Sequence, residues 1–210
     1  MKLIVDKSGI NRFLKWMQRT LAATSVLLLG WCLFVLADSW VFQKQESAQL
    51  NLLLAAHAEA VGTFPKAASG EVTGRWPPVM ARGLIGRMDI PRLHLTAMVV
   101  EGTSSSALRR AIGHISGTSL PGVPGNIGIS GHRDTFFRPL RHIRENDIIT
   151  LTTLTGEHHY RVVSIRIVAP TDIEVLEQTT SEVLTLVTCY PFYFVGSAPD
   201  RFIVRAERVS

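Results

Sequence analysis

Charged side chains are absent between Arg19 and Asp38, and the eighteen residues 20–37 (TLAATSVLLLGWCLFVLA) are almost wholly apolar. A helix rising about 1.5 Å per residue covers roughly 27 Å over that length, close to the hydrocarbon thickness of a bilayer. The pattern therefore predicts an uncleaved membrane-spanning anchor. A cleaved secretory signal is the competing reading, since Val35-Leu36-Ala37 is an acceptable small-residue cleavage site, although the apolar run exceeds the usual h-region. Residues 43–61 (QKQESAQLNLLLAAHAEAV) are rich in Ala, Leu, Gln and Glu, which predicts a helix continuing outward as a stalk with His57 facing solvent. Residues 62–82 shift to Gly, Pro, Ser and Thr and read as a linker, with a boundary near Gly83.

Beyond residue 83 the rhythm changes to short β-rich runs between turn residues: LIGRMDI, TAMVVEG, NIGISGH, DIITLTTL, HYRVVSIRIV, EVLTLVTC and RFIVRAERV. Two short helical stretches interrupt them, at 104–112 and 137–143. Seven or eight strands in about 127 residues predict an all-β domain, a closed barrel or a sandwich. The predicted organisation is a basic tail (1–19), a transmembrane anchor (20–37), a helical stalk and linker (38–82) and a β domain (83–210).

Composition narrows the picture. With 46% hydrophobic and 19% charged residues in a chain of 210, a folded domain is required and a disordered tail excluded. The net charge of +5 is concentrated at the start: five basic residues (Lys2, Lys7, Arg12, Lys15, Arg19) against Asp6 leave +4 in residues 1–19. Nucleic-acid binders place basic groups on the folded domain instead. Basic residues ahead of an apolar run set membrane topology, with the N-terminus inside and the β domain outside.

Only two cysteines occur, Cys32 within the apolar run and Cys189, and no C-x-x-C pair suggests a metal or redox centre. Cys32 cannot meet Cys189 across the membrane boundary, so Cys189 is a free or an intermolecular thiol in an exported domain, which asks for a chemical reason. It ends the run EVLTLVTC, and Tyr190-Pro191-Phe192 cannot continue a central strand, so the thiol stands at a strand end. A nearby imidazole favours the reactive thiolate. His132 follows the small-residue run Asn126-Ile-Gly-Ile-Ser-Gly131 at another strand end, and His114, in a Gly-flanked loop, is its rival. His158 and His159 sit at an expected exposed hairpin. Acyl transfer also needs donors for an oxyanion, which an arginine supplies. Arg201, opening the last strand, and Arg133, beside the histidine, both qualify.

Thr185-Leu186-Val187-Thr188-Cys189-Tyr190-Pro191-Phe192, with Gly131-His132-Arg133-Asp134-Thr135 upstream and Arg201-Phe202-Ile203-Val204 downstream, resembles a sortase, most nearly of class D, over residues 84–210. The resemblance implies a closed eight-stranded β-barrel with short helices and a membrane-anchored cysteine transpeptidase. Such an enzyme cuts a Leu-Pro-X-Thr-Gly-like sorting signal through a thioacyl-enzyme and passes the substrate protein to an amine acceptor, a peptidoglycan precursor or a pilin lysine. It further implies Cys189 as nucleophile, His132 as acid/base acting as imidazolium beside the thiolate, and Arg201 as oxyanion stabiliser. His114 and Thr188 match positions near the family's cleft and are weaker substrate-binding candidates. No cofactor and no metal are implied. The remaining readings are a thiol hydrolase on the same scaffold and a non-enzymatic anchored binding module.

Overall fold

The computed structural model describes residues 7–62, 83–194 and 196–209. The linker read at 62–82 lies outside the described residues apart from Gly62, and so does the side chain of His57. Helix α1 spans Lys7–Gly62. Its segment before Phe42 belongs to one compact unit, and residues from Phe42 onward belong to another. In the first unit the apolar side chains are bare: Leu21, Leu27, Trp31 and Leu36 are each about two-thirds exposed. The helix is long and apolar enough to cross a membrane.

In the second unit eight strands close a barrel in the order β1-β2-β3-β4-β7-β8-β6-β5. They are β1 (Leu84–Ile90), β2 (Leu95–Glu101), β3 (Ile112–His114), β4 (Gly125–Ser130), β5 (Ile148–Thr153), β6 (Gly156–Val168), β7 (Glu182–Tyr190) and β8 (Asp200–Arg208). The all-β barrel predicted from the run pattern is thus present, and the sandwich alternative is not. Seven strands follow the seven β-rich runs. The eighth, β3, is only three residues long and too short to announce itself by periodicity. The expected helical stretches are α2 (Ser105–Arg110), N-capped by the Ser104 hydroxyl accepting from the Ala107 amide, and a 3-10 helix at Arg138–His142.

Alternation builds the core. In β1, Leu84, Gly86, Met88 and Ile90 are buried and the residues between them are half-exposed. Ile127 and Ile129 of β4, Leu184 and Leu186 of β7, and Val204 and Ala206 of β8 fill the same interior. Most pairs are antiparallel, but β2–β3 and β4–β7 are parallel.

The sequence reading gave the stalk no share in this core, and the structure differs. Leu50 of α1 is fully buried with Leu84, Met98, Val100 and Ala111, and Phe42 and Leu54 pack beside it. Gln43 satisfies two backbone groups at once: its side-chain amide donates to the Arg110 carbonyl (2.6 Å) and its carbonyl oxygen accepts from the Met98 amide (2.9 Å). The Leu-rich run that looked like generic helix former is a docking face.

Candidate active site

The site begins with strand register. In β7 the even positions Leu184 and Leu186 enter the core, so Cys189 lies on the opposite, outer face, half-buried at the strand end. β8 returns antiparallel with Arg201 directly opposite Cys189. Facing residues in such a pair have Cβ atoms about 5 Å apart. The Tyr190–Pro191 peptide bond is cis.

His132 comes from the other side of β7. β4 runs parallel to β7 with Ser130 opposite Val187, and the Gly131 amide still donates to the Val187 carbonyl (3.2 Å). The buried Thr188 hydroxyl donates to the Gly131 carbonyl (2.7 Å). Carrying this register two residues past Ser130 sets His132 level with Cys189. Gly131 is required there because a Cβ would meet the ring of the fully buried Phe137 at 2.8 Å. The Phe137 amide donates to the His132 carbonyl (3.0 Å), turning the chain into the 3-10 helix. The imidazole itself is exposed.

His132, Cys189 and Arg201 line one cavity of about 350 Å³, together with Arg133, Asp134, Gly196, Ser197 and Ala198. The two arginines differ in what they have left to offer. Arg133 donates to the carbonyls of Pro191 (2.9 Å), Phe194 (2.7 Å) and Gly196 (3.0 Å) and lies over the Phe194 ring, so its guanidinium clamps the β7–β8 loop. Arg201 uses a single nitrogen, Nη1, toward the Ala198 and Asp200 carbonyls (3.4 and 3.0 Å). Its remaining N–H groups have no partner among the described residues. An arginine that still has donors to offer, opposite a thiol, suits a developing oxyanion.

The other sequence candidates fall elsewhere. His114, expected in a loop of the same cleft, stands on β3, buried at 3% exposure and outside the lining of this cavity. Its Nδ1 meets the Glu101 carboxylate (2.7 Å) and its Nε2 the Ser119 carbonyl (2.9 Å), which leaves neither nitrogen for a substrate. Thr188 is buried with its hydroxyl committed to Gly131. His159 is exposed as expected, but His158 is buried, its Nδ1 lying 3.8 Å from Glu182, whose carboxylate also receives the Tyr160 hydroxyl and the Gly122 amide. Among the described residues, no group of three or more His, Cys, Asp and Glu is arranged to hold a metal ion.

The outer face of β7 and β8 continues from Cys189 into a second cavity of about 290 Å³, lined by Thr185, Ile203 and Arg205 below and Glu174, Val175 and Glu177 above. The last three belong to the β6–β7 connection. Asn126, fully buried, pins that connection to the sheet: its amide donates to the Val175 (3.0 Å) and Glu177 (3.1 Å) carbonyls, and its oxygen accepts from the Thr185 hydroxyl (2.7 Å). Sequence reasoning gave Asn126 no pinning role and did not foresee the clamp of Arg133, since single polar residues give no periodic signal. The one available cue for Asn126 was a polar residue inside an apolar strand.

Three comparisons bear on the site. A family model described as the sortase domain matches residues 88–209. Sortase D of Bacillus subtilis is 31% identical over 189 residues, covering 90% of this chain and 95% of that protein. Among solved structures, a lid mutant of sortase A from Corynebacterium diphtheriae aligns with a TM-score of 0.59 and 27% identity, over 78% of this chain and 95% of that one. A sortase D5 transpeptidase from Clostridium perfringens aligns with a TM-score of 0.61 over 83% of this chain and 99% of that one, its 24% identity speaking to the fold.

Proposed function

The chain belongs to the sortase family of cysteine transpeptidases, and from that premise we propose that it is a membrane-anchored enzyme that cuts a Leu-Pro-X-Thr-Gly-like sorting signal and joins the substrate protein to an amine. The observation that carries this reading is the convergence of Cys189, His132 and Arg201 on one cavity, two of them as register partners and the third from just past the end of the parallel neighbouring strand β4.

The Cys189 thiolate attacks the threonine carbonyl carbon, and the oxygen that gains charge faces the N–H groups of Arg201. As the carbon–nitrogen bond breaks, the His132 imidazolium gives its proton to the leaving amine, and a thioester remains. The acceptor nitrogen then attacks that thioester, the carbon–sulfur bond breaks and the thiolate leaves. His132 takes up one proton from the amine, which restores the starting pair. Residues upstream of the scissile bond run along the outer face of β7 and β8 beneath the β6–β7 connection.

Residues 1–19 form the cytoplasmic tail, 20–37 the span, 38–82 the stalk and linker and 83–210 the extracytoplasmic catalytic barrel. Trp16 and Trp40, 64% and 63% exposed, flank the apolar run. The offset of 24 residues from one to the other covers about 36 Å of helix, so both rings meet the headgroup layers where aromatic belts lie.

Intact-mass measurement on the chain incubated with a Leu-Pro-X-Thr-Gly/Ala peptide library tests the reading. A Cys189-linked acyl adduct that passes to an added amine is expected, and Cys189→Ala should show none. Release of free acid alone, with amine in excess, would make the enzyme a hydrolase.

A further inference from the structure

The second half-reaction poses an electrostatic problem that the cavity itself addresses. An alkylamine at neutral pH arrives as ammonium, yet the cavity around Cys189 presents the guanidinium groups of Arg133 and Arg201 and the imidazole of His132. Like charges a few Å apart repel, and more strongly in a partly enclosed site than in bulk water. Asp134 is the single carboxylate that lines this cavity among the described residues. It lies two positions after His132, exposed, and its carboxylate has no hydrogen-bond or ion-pair partner among the described residues. That is unusual beside two arginines, one of which, Arg133, is turned away to hold loop carbonyls. Leaving the carboxylate unpaired keeps it available to a cation from outside.

We propose that Asp134 is the binding residue for the ammonium group of the acceptor, and that it selects cationic amines over neutral nucleophiles for attack on the thioester. The assignment rests on the transpeptidase reading above. The ammonium docks on the Asp134 carboxylate beside the thioester and gives one proton to solvent as it leaves the carboxylate. The free amine attacks the acyl carbon, its second proton passes to His132, the carbon–nitrogen bond forms and Cys189 departs as thiolate.

A competition experiment isolates this step. The full chain in detergent is incubated with a peptide carrying the Leu-Pro-X-Thr-Gly sequence and a mixture of ethylamine, a cation at neutral pH, and hydroxylamine, which is uncharged there. Both acceptors draw on the same thioester, so the ratio of ethylamide to hydroxamate does not depend on the acylation rate. Asp134→Asn should lower that ratio about fivefold at low ionic strength, the upper end for a solvent-accessible ion pair. Asp134→Lys should lower it further, Asp134→Glu should retain most of it, and added salt should shrink the difference. An unchanged ratio in Asp134→Asn and Asp134→Lys, with both products still forming, would overturn the role of Asp134 alone. Absence of either product with the native chain would overturn the transpeptidase reading and this proposal with it.

Discussion

Leu50→Ala is the sharpest test of the docked stalk. Leu50 is fully buried between the helix and the barrel wall, where it meets Leu84, Met98, Val100 and Ala111. Leu→Ala truncations at buried sites cost about 3–5 kcal/mol, the larger values where the cavity cannot collapse. This site lies at the edge of the unit, where the helix can settle toward the sheet, so about 3 kcal/mol is expected. For a unit of this size, residues 42–210, that is a fall in Tm of roughly 6–12 °C. Gln43→Ala removes two hydrogen bonds and leaves the Met98 amide unanswered, costing about 2 kcal/mol. The two positions are two helical turns apart, so the double variant should be nearly additive. Calorimetry on a soluble fragment covering 42–210 measures each value, and a fragment covering 83–210 measures the whole contact. A Leu50→Ala variant melting with the native fragment, or an 83–210 fragment with an undiminished midpoint, would refute the view that the helix is part of the catalytic unit.

Arg133→Ala should loosen the β7–β8 loop through loss of three carbonyl contacts and lower kcat at least tenfold, while Arg133→Lys, a point charge in place of a fork, should restore little of it in peptide-cleavage assays. Gly131→Ala drives a methyl into the Phe137 ring and so displaces the backbone that carries His132, and steady-state kinetics should show a larger loss of kcat than of stability. Acidification should destabilise the barrel in two stages. Burial first, then Arg208, holds His158 below the ordinary histidine value despite Glu182, so the unfolded chain takes up that proton first and stability falls as pH drops below about 6.5. The Asp147 carboxylate, held down chiefly by its hydrogen bond from Arg92, adds a second fall as pH drops below about 4. His158→Gln should flatten the first stage alone in Tm measured against pH.

How far this could be seen beforehand varies from residue to residue. β1 was legible because one face meets the core and the other does not, which alternates burial along LIGRMDI, while β7 was legible as a β-branched run, its residues Val183 to Leu186 all buried. Cys189 was legible by elimination, as the one cysteine outside the apolar run. From spacing and strand position alone, His132 and Arg201 were legible as strand-end residues with rivals, and only the family motifs singled them out, because which guanidinium the loop carbonyls occupy is a long-range fact. His114 misled for the same reason: its glycine neighbours suggested a loop, but the pairing of β3 with β2 and β4 makes it strand. His158 followed the hairpin rule until the Gly122 turn covered it, with the Gly122 Cα so close that a Cβ would stand 2.8 Å from the ring.

The order of strands around the barrel has a consequence for biogenesis. β8 follows every other barrel strand in the chain, yet it lies between β7 and β6 and carries Arg201 to the side of Cys189. During synthesis from the N-terminus the thiol therefore emerges before the element that completes its surroundings. Until β8 pairs with β6 and β7 the cylinder stays open and Arg201 is not yet opposite Cys189. Under the proposed mechanism, a nascent or prematurely terminated chain that lacks β8 holds Cys189 without its partner arginine and has no complete site.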